Sequence, residues 1–394
     1  MSEWKKVKLG EITESCLGKM LDSAKNRGEY QPYLANLNVR WGSFDTENLS
    51  MMRFEEEEEE RYGIRYGDLI ICEGGEPGRC AIWKEQLPDM KIQKALHRVR
   101  PKDGLVDNFY LFYWFLHAGK RNWIDQYCTG ATIKHLPGIK LKEVIVDLPP
   151  LSIQHRIATI LSRYDSLIEN YQKQIKLLEE SAQRLYKEWF IDLRFPGHET
   201  TKIVDGVPEG WEKKSIADLG TYLNGFAFKP SDWQETGKPI IKIKEMGNGI
   251  NADTPRNNGE RVPERYLIKS GDLLFSWSAT LMVIVWTGED GWLNQHLFKV
   301  TPAQGVGREF LLQSISRTIA EFSNLTTGST MKHIQRNKLE QVFVNTPTTE
   351  IMNCYSRIAE RLREQILNIS SQIRHLTEAR DRLLPKLMSG EIEV

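Results

Sequence analysis

The chain has 394 residues, 40% hydrophobic and 27% charged, with 53 basic against 53 acidic side chains. That length accommodates two or three domains with sizeable cores, and zero net charge excludes an overall cationic coat while leaving room for a local basic face. Five widely spaced cysteines (Cys16, Cys72, Cys80, Cys128, Cys354) form no Cys-x-x-Cys pair, which indicates neither zinc nor a disulfide framework and predicts reduced thiols.

In chain order, MSEWKKVKLGEI opens without an apolar signal core, and the longest strongly apolar run, LMVIVW at Leu281–Trp286, is too short to span a bilayer. A cytoplasmic protein with no membrane partner is expected. Residues 1–150 hold short apolar runs (YGDLIIC, AIW, EVIVDL) separated by Gly and Pro turns, which predict strands, and NFYLFYWFLHAG, which predicts a helix over Asn108–Gly119. The acidic run Glu55–Glu60 predicts a solvated helical turn, or else an acidic strip that repels DNA from one face. Residues 151–205 read as a long helix and linker, 206–347 as a second globule with strands PIIKIKE, GDLLFSW, TLMVIVW and QVFVNT and a helix at REFLLQSISRT, and 348–394 as a second long helix.

This order is a duplication. TGATIKHL at Thr129–Leu136 returns as TGSTMKHI at Thr327–Ile334; WKKVKLGEI from Trp4 matches WEKKSIADL from Trp211; RYGIRYGDLI matches RYLIKSGDLL; IQKALHRVRP matches LNQHLFKVTP. The offset shrinks from 207 to 198 residues in small steps between matched blocks, as loop deletions on a kept scaffold would produce. The long segments repeat as well. Apolar residues at Ile153, Ile157, Ile160, Tyr164, Ile168, Tyr171, Ile175, Leu178, Ala182, Leu185 and Trp189 step by three and four, and positions 198 later are Ile351, Tyr355, Ile358, Leu362, Ile366, Ile369, Ile373, Leu376, Arg380, Leu383 and Leu387. Only Arg380 breaks the stripe. The spacing is that of a coiled-coil seam, and the simplest partner of each helix, roughly 60 Å long, is the other. The leftover apolar residues Leu161, Leu167, Leu177 and Leu367 suggest further partners.

Enzyme motifs fail on inspection. GNGINA at Gly247–Ala252 fits a dinucleotide-binding pattern, but the proline-containing DTPRNNGERVPE that follows predicts a turn instead of the required helix. DLPP at Asp147–Pro150 departs from the amino-methyltransferase site and punctuates the start of the helix; GGEPGRC lacks the Gly-Lys-Ser/Thr of a phosphate loop. The recurring His135 and His333 have no acid or nucleophile beside them and read as hydrogen-bonded structural histidines. Where the copies differ, scaffold residues are kept and polar ones change: Gln93-Lys94-Ala95 becomes Asn294-Gln295-His296. Asn and Gln suit adenine, and Lys and Arg suit guanine. In PIIKIKE, alternation places Lys242 and Lys244 on one strand face, either for phosphates or as ordinary solvated lysines.

Taken together, WKKVKLGEI, VPEGWEKKSI, RYGIRYGDLIICEGGEPGRCAIW, TGATIKHL, TGSTMKHI, LPPLSIQHRIATIL, LYKEWFIDLRFPGHE and LLPKLMSGEIEV resemble the specificity subunit of type I restriction-modification systems over essentially the whole chain. The resemblance implies an α+β fold: two similar mixed α/β target-recognition domains alternate with two long helices that form an antiparallel coiled coil. Each domain would read one half of a split sequence in double-stranded DNA. It also implies a non-catalytic chain that binds no cofactor itself. Two methyltransferase subunits carrying S-adenosylmethionine would dock on it, and restriction subunits using ATP and Mg²⁺ would join them. Base reading is expected in the unlike segments: Asn38, Arg40, Trp41, Glu73 to Arg79, Gln93 and Lys94 in the first domain, and Lys242, Lys244, Trp277, Asn294, Gln295 and His296 in the second. The shared Lys134 and Lys332 are expected either to touch phosphate or to belong to a structural turn.

Overall fold

The computed structural model describes residues 4–22, 26–324 and 336–394. The chain falls into two compact units, Met1–Ile168 with Leu376–Val394, and Glu169–His375.

In the first unit the main strands are β1 (Lys5–Lys8), β2 (Thr13–Leu17), β3 (Glu29–Leu34), β4 (Ser50–Phe54), β5 (Leu69–Cys72), β6 (Cys80–Ile82), β7 (Lys91–Ile92), β8 (Leu96–Pro101) and β9 (Ile145–Leu148). They make a four-stranded sheet ordered β2-β8-β5-β6, a three-stranded sheet β4-β3-β7 and the pair β1-β9. Helix α1 (Asn108–Lys120) starts where the Asp107 carboxylate accepts from the Tyr110 N–H at 2.7 Å. Nearly all of its middle is buried, because it lies between the larger sheet and the first long helix, α2 (Leu151–Tyr186).

The second unit repeats this plan with β10 (Glu212–Ser215), β11 (Gly220–Asn224), β12 (Lys238–Ile241), β13 (Arg256–Asn257), β14 (Leu267–Ile268), β15 (Leu273–Ser276), β16 (Met282–Val285), β17 (Gly291–Leu293), β18 (Leu297–Pro302), β19 (Phe343–Thr346) and helix α3 (Arg308–Asn324). The larger sheet is β11-β18-β15-β16, the smaller β13-β12-β17-β14, and β10 pairs with β19. Even the parallel step recurs: Leu34 faces Ile92 and Ile241 faces Leu293.

Each unit holds one end of each long helix. In the first, Ile157, Ala158 and Leu161 of α2 share a core with Leu384, Leu387 and Met388 at the far end of α4 (Thr349–Met388). In the second, α2 finishes in a π-helical turn, Lys187–Ile191, whose Phe190 ring lies 4.8 Å from Tyr355 near the start of α4. Opposite ends meet in both units, so the helices run antiparallel. Of the predicted seam side chains Ile358 is 44% exposed and the others are buried or half-buried; Leu177, off the seam, is 62% exposed.

Three expectations are corrected. PIIKIKE is a strand only to Ile241; Ile243–Asn248 is a short helix. Glu245 is buried and accepts from the Lys242 N–H at 3.1 Å, a cap that overrides the alternating pattern. Lys242 and Lys244 therefore share no strand face. Leu161 is fully buried and Leu367 packs against the second core, so of the four leftover leucines only Leu167 and Leu177 remain exposed. The acidic run does form short helical turns, but it is not only solvated: Glu58 pairs with Lys19, and Glu59 lies 2.6 Å from Lys91, both lysines being buried. Two cations inside a small domain require such partners.

Candidate nucleic-acid interface

Part of the unlike segments meets at one place in each lobe. In the first, Gln93-Lys94-Ala95 is the turn between β7 and β8, closed by Leu96 N–H to Gln93 O at 2.9 Å. Three further backbone bonds fix it: Gln93 N–H to Leu34 O (3.0 Å), Lys94 N–H to Lys19 O (2.9 Å) and Glu73 N–H to Ala95 O (2.9 Å). In the second lobe three of these four bonds recur, from Leu297 to Asn294 (3.0 Å), Asn294 to Ile241 (3.1 Å) and Trp277 to His296 (3.4 Å). One frame thus presents Glu73, Gln93 and Lys94 in one copy and Trp277, Asn294, Gln295 and His296 in the other. The Trp277 ring lies 5.8 Å from His296, and its N–H donates to Asn224 Oδ1 at 3.1 Å.

Two glycines that sequence reasoning passed over make the frame possible. Gly18 and Gly225, 207 residues apart like the other early matches, run alongside these turns. A Cβ on Gly18 would lie 2.4 Å from Gln93 O, and one on Gly225 would lie 2.1 Å from Asn294 O. The signal was there in LGK and NGF, but only as two glycines among 29.

The repeated string is a hairpin beside this frame in lobe 1. Thr129 and His135 exchange backbone bonds of 2.7 and 2.8 Å, Gly130 takes φ +95°, and Ile133 at the tip is 67% exposed. Leu136 N–H reaches Glu73 O at 2.7 Å, and its carbonyl accepts from His97 Nε2 at 2.8 Å. Burial lowers the His97 pKa, so the neutral ring holds the hairpin root. Lys134 pairs with Asp125 at 2.6 Å, which raises its pKa; both side chains are half exposed. Lys332 and His333 lie outside the described residues.

Trp41 lines a cleft of about 510 Å³ beside the hairpin, with Gly75, Glu76, Thr132, Ile133 and Lys134. Its N–H donates to Glu76 Oε1 at 2.6 Å, and Arg79 holds Glu76 Oε2 at 2.9 Å. Arg79 is committed further, donating to Asn36 O at 2.8 Å. Arg40 is exposed beside Asp45 at 3.5 Å. Asn38 is a correction. It is 2% exposed, its Oδ1 accepts from Ala35 N–H at 2.9 Å, and its Nδ2 donates to Asp45 O at 3.0 Å. Its amide shapes the loop and presents no free edge to a base. Asn294 is also buried, its Oδ1 turned to His296 N–H at 3.3 Å. Lys242 stands apart, its ammonium over the exposed Trp233 ring at 5.4 Å, and Lys244 is exposed on the short helix.

The family described as "Type I restriction modification DNA specificity domain" matches residues 1–180 and again 208–376. The chain belongs to this family. A Methanocaldococcus jannaschii protein, the type I restriction enzyme MjaIX specificity subunit, is 27% identical over 346 residues, covering 83% of this chain and 78% of its own. The MjaVIII specificity subunit of the same organism is 23% identical and covers 100% and 93%. The crystal structure of the type I restriction-modification S subunit from M. genitalium has the same fold, with a TM-score of 0.55 at 15% identity over 98% of this chain and 96% of that one. Type I specificity subunits recognise DNA sequence and are non-catalytic; methyltransferase and restriction activities belong to the complex. No helix among the described residues is long and apolar enough to cross a membrane.

Proposed function

We propose that each lobe reads one half of a bipartite target in double-stranded DNA. In this reading the antiparallel helices set the unspecified gap and dock two methyltransferase subunits, and restriction subunits complete the assembly. S-adenosylmethionine, ATP and Mg²⁺ are the partners' cofactors. The observation that carries this reading is the pair of turns at Gln93-Lys94-Ala95 and Asn294-Gln295-His296: a backbone frame largely common to both bears different hydrogen-bonding groups, as two readers of different bases require. Glu73, Gln93 and Lys94 in the first lobe, and Trp277, Gln295 and His296 in the second, are the groups placed to read. Methylome sequencing of cells with and without this chain tests the function. A split adenine-methylated motif should vanish with the chain, and an unchanged methylome refutes the reading.

The shared hairpin has a sequence-blind role, phosphate contact by Lys134 and Lys332. Asp125 competes for Lys134 until DNA displaces it. Replacing both lysines by Ala should weaken binding about equally on all sequences and reduce the salt slope by about two counter-ions. An unchanged slope assigns the hairpin to structure alone.

A further inference from the structure

The one residue that breaks the helical stripe carries an inference about pairing. Arg380 stands on α4 where the repeat has Ala182 on α2, and Asp165 on α2 corresponds to Arg363 on α4. In the first unit Arg380 Nη1 lies 2.6 Å from Asp165 Oδ1, and both side chains are largely buried. Asp165 Oδ2 also accepts from the Tyr113 hydroxyl at 2.5 Å, and Arg380 reaches Asp381 at 2.9 Å. In the second unit Arg363 is held by Glu309 at 2.6 Å, with the two side chains 5% and 1% exposed. In the register that sets Phe190 against Tyr355, Arg363 falls opposite the buried Ala182 of α2. The repeat positions are thus acid with base in one unit, and base with a methyl group in the other.

Now consider a helix meeting the same helix of a second copy, in the same antiparallel register. Paired α4 helices would set Arg380, deprived of Asp165, against Arg363, whose acid, Glu309, is already engaged. Paired α2 helices would set Asp165 against Ala182 and leave a buried carboxylate without its cation. Both are costly, and both arise only in like-with-like pairing. We propose that Asp165, Arg380, Arg363 and Ala182 form a pairing code that accepts the other half of the repeat and rejects a like half from a second copy of this chain. The code stands on the helices alone; that it keeps two unlike readers on one subunit rests on the proposed function.

The test uses the full chain with a protease site inserted between the exposed Glu199 and Thr200, cut after folding and equilibrated. Native mass spectrometry then counts unlike-half and like-half pairs. Arg380→Asp turns the α4–α4 encounter with Arg363 attractive and the α2 encounter with Asp165 repulsive, so like-half pairs should rise at least about tenfold over wild type. Adding Asp165→Arg should return the ratio towards wild type. In the uncut chain, Asp165→Ala and Arg380→Ala should be strongly non-additive in thermal unfolding. An equal share of like-half pairs in wild type and Arg380→Asp overturns the proposal. So does simple additivity in the uncut chain, which decides the matter if the cut halves do not survive. Neither readout involves DNA, so its failure is distinct from failure of the reading function.

Discussion

Arg363→Ala is expected to destabilise the second unit by about 3–5 kcal/mol in chemical unfolding, among the largest effects of any single side chain there. The reason is what it leaves behind. Glu309, at the start of α3, is almost wholly enclosed, and both of its carboxylate oxygens are bonded by Arg363, at 2.6 and 3.2 Å. Without the guanidinium, the Glu309 carboxylate stays buried without its cation. Replacing both members by apolar groups of similar volume, Glu309→Leu with Arg363→Met, should recover most of the loss, since the pair itself adds little beyond an apolar contact. A single Arg363→Ala costing under about 1 kcal/mol would show that water reaches Glu309 and that the pair is not a buried one.

Gly18→Ala and Gly225→Ala are expected to damage reading more than folding. Each added methyl meets a backbone carbonyl at 2.4 or 2.1 Å, and the element that must yield is the turn carrying Gln93 or Asn294. Overpacking of this kind costs about 1–3 kcal/mol. A displaced turn would also lose its directed hydrogen bonds to bases, worth about 1–3 kcal/mol for each good pair. Gly18→Ala should therefore relax discrimination in one half-site only, and Gly225→Ala in the other, while low-salt binding to unrelated DNA changes little. Loss of discrimination in both halves from either substitution would mean that the turns do not read separately.

The duplication and the helical stripes were legible because they are periodic. A repeat offset and a three-four spacing survive without coordinates, and Arg380 stood out as the residue that broke them. The second helical face was not legible. Leu161 and Leu367 are apolar off the seam, and spacing cannot distinguish a side chain left for a partner from one that packs on its own lobe. Lys-Ile-Lys in PIIKIKE matched a strand by alternation, but the deciding residue was Glu245, whose buried carboxylate caps a helix. Asn38 looked like a base reader by residue type; its neighbours Ala35 and Asp45 consume its amide. The contacts that assemble the candidate site, such as Glu73 with both Ala95 and Leu136, join segments that no local pattern links.

On the proposed function the two lobes read independently, each with its own set of side chains on a common frame. Exchanging residues 1–150 for the corresponding lobe of a relative, and sequencing the methylome that results, tests it most directly. One half of the methylated motif should change to a new sequence while the other half stays as it was. A motif altered in both halves at once would contradict the account.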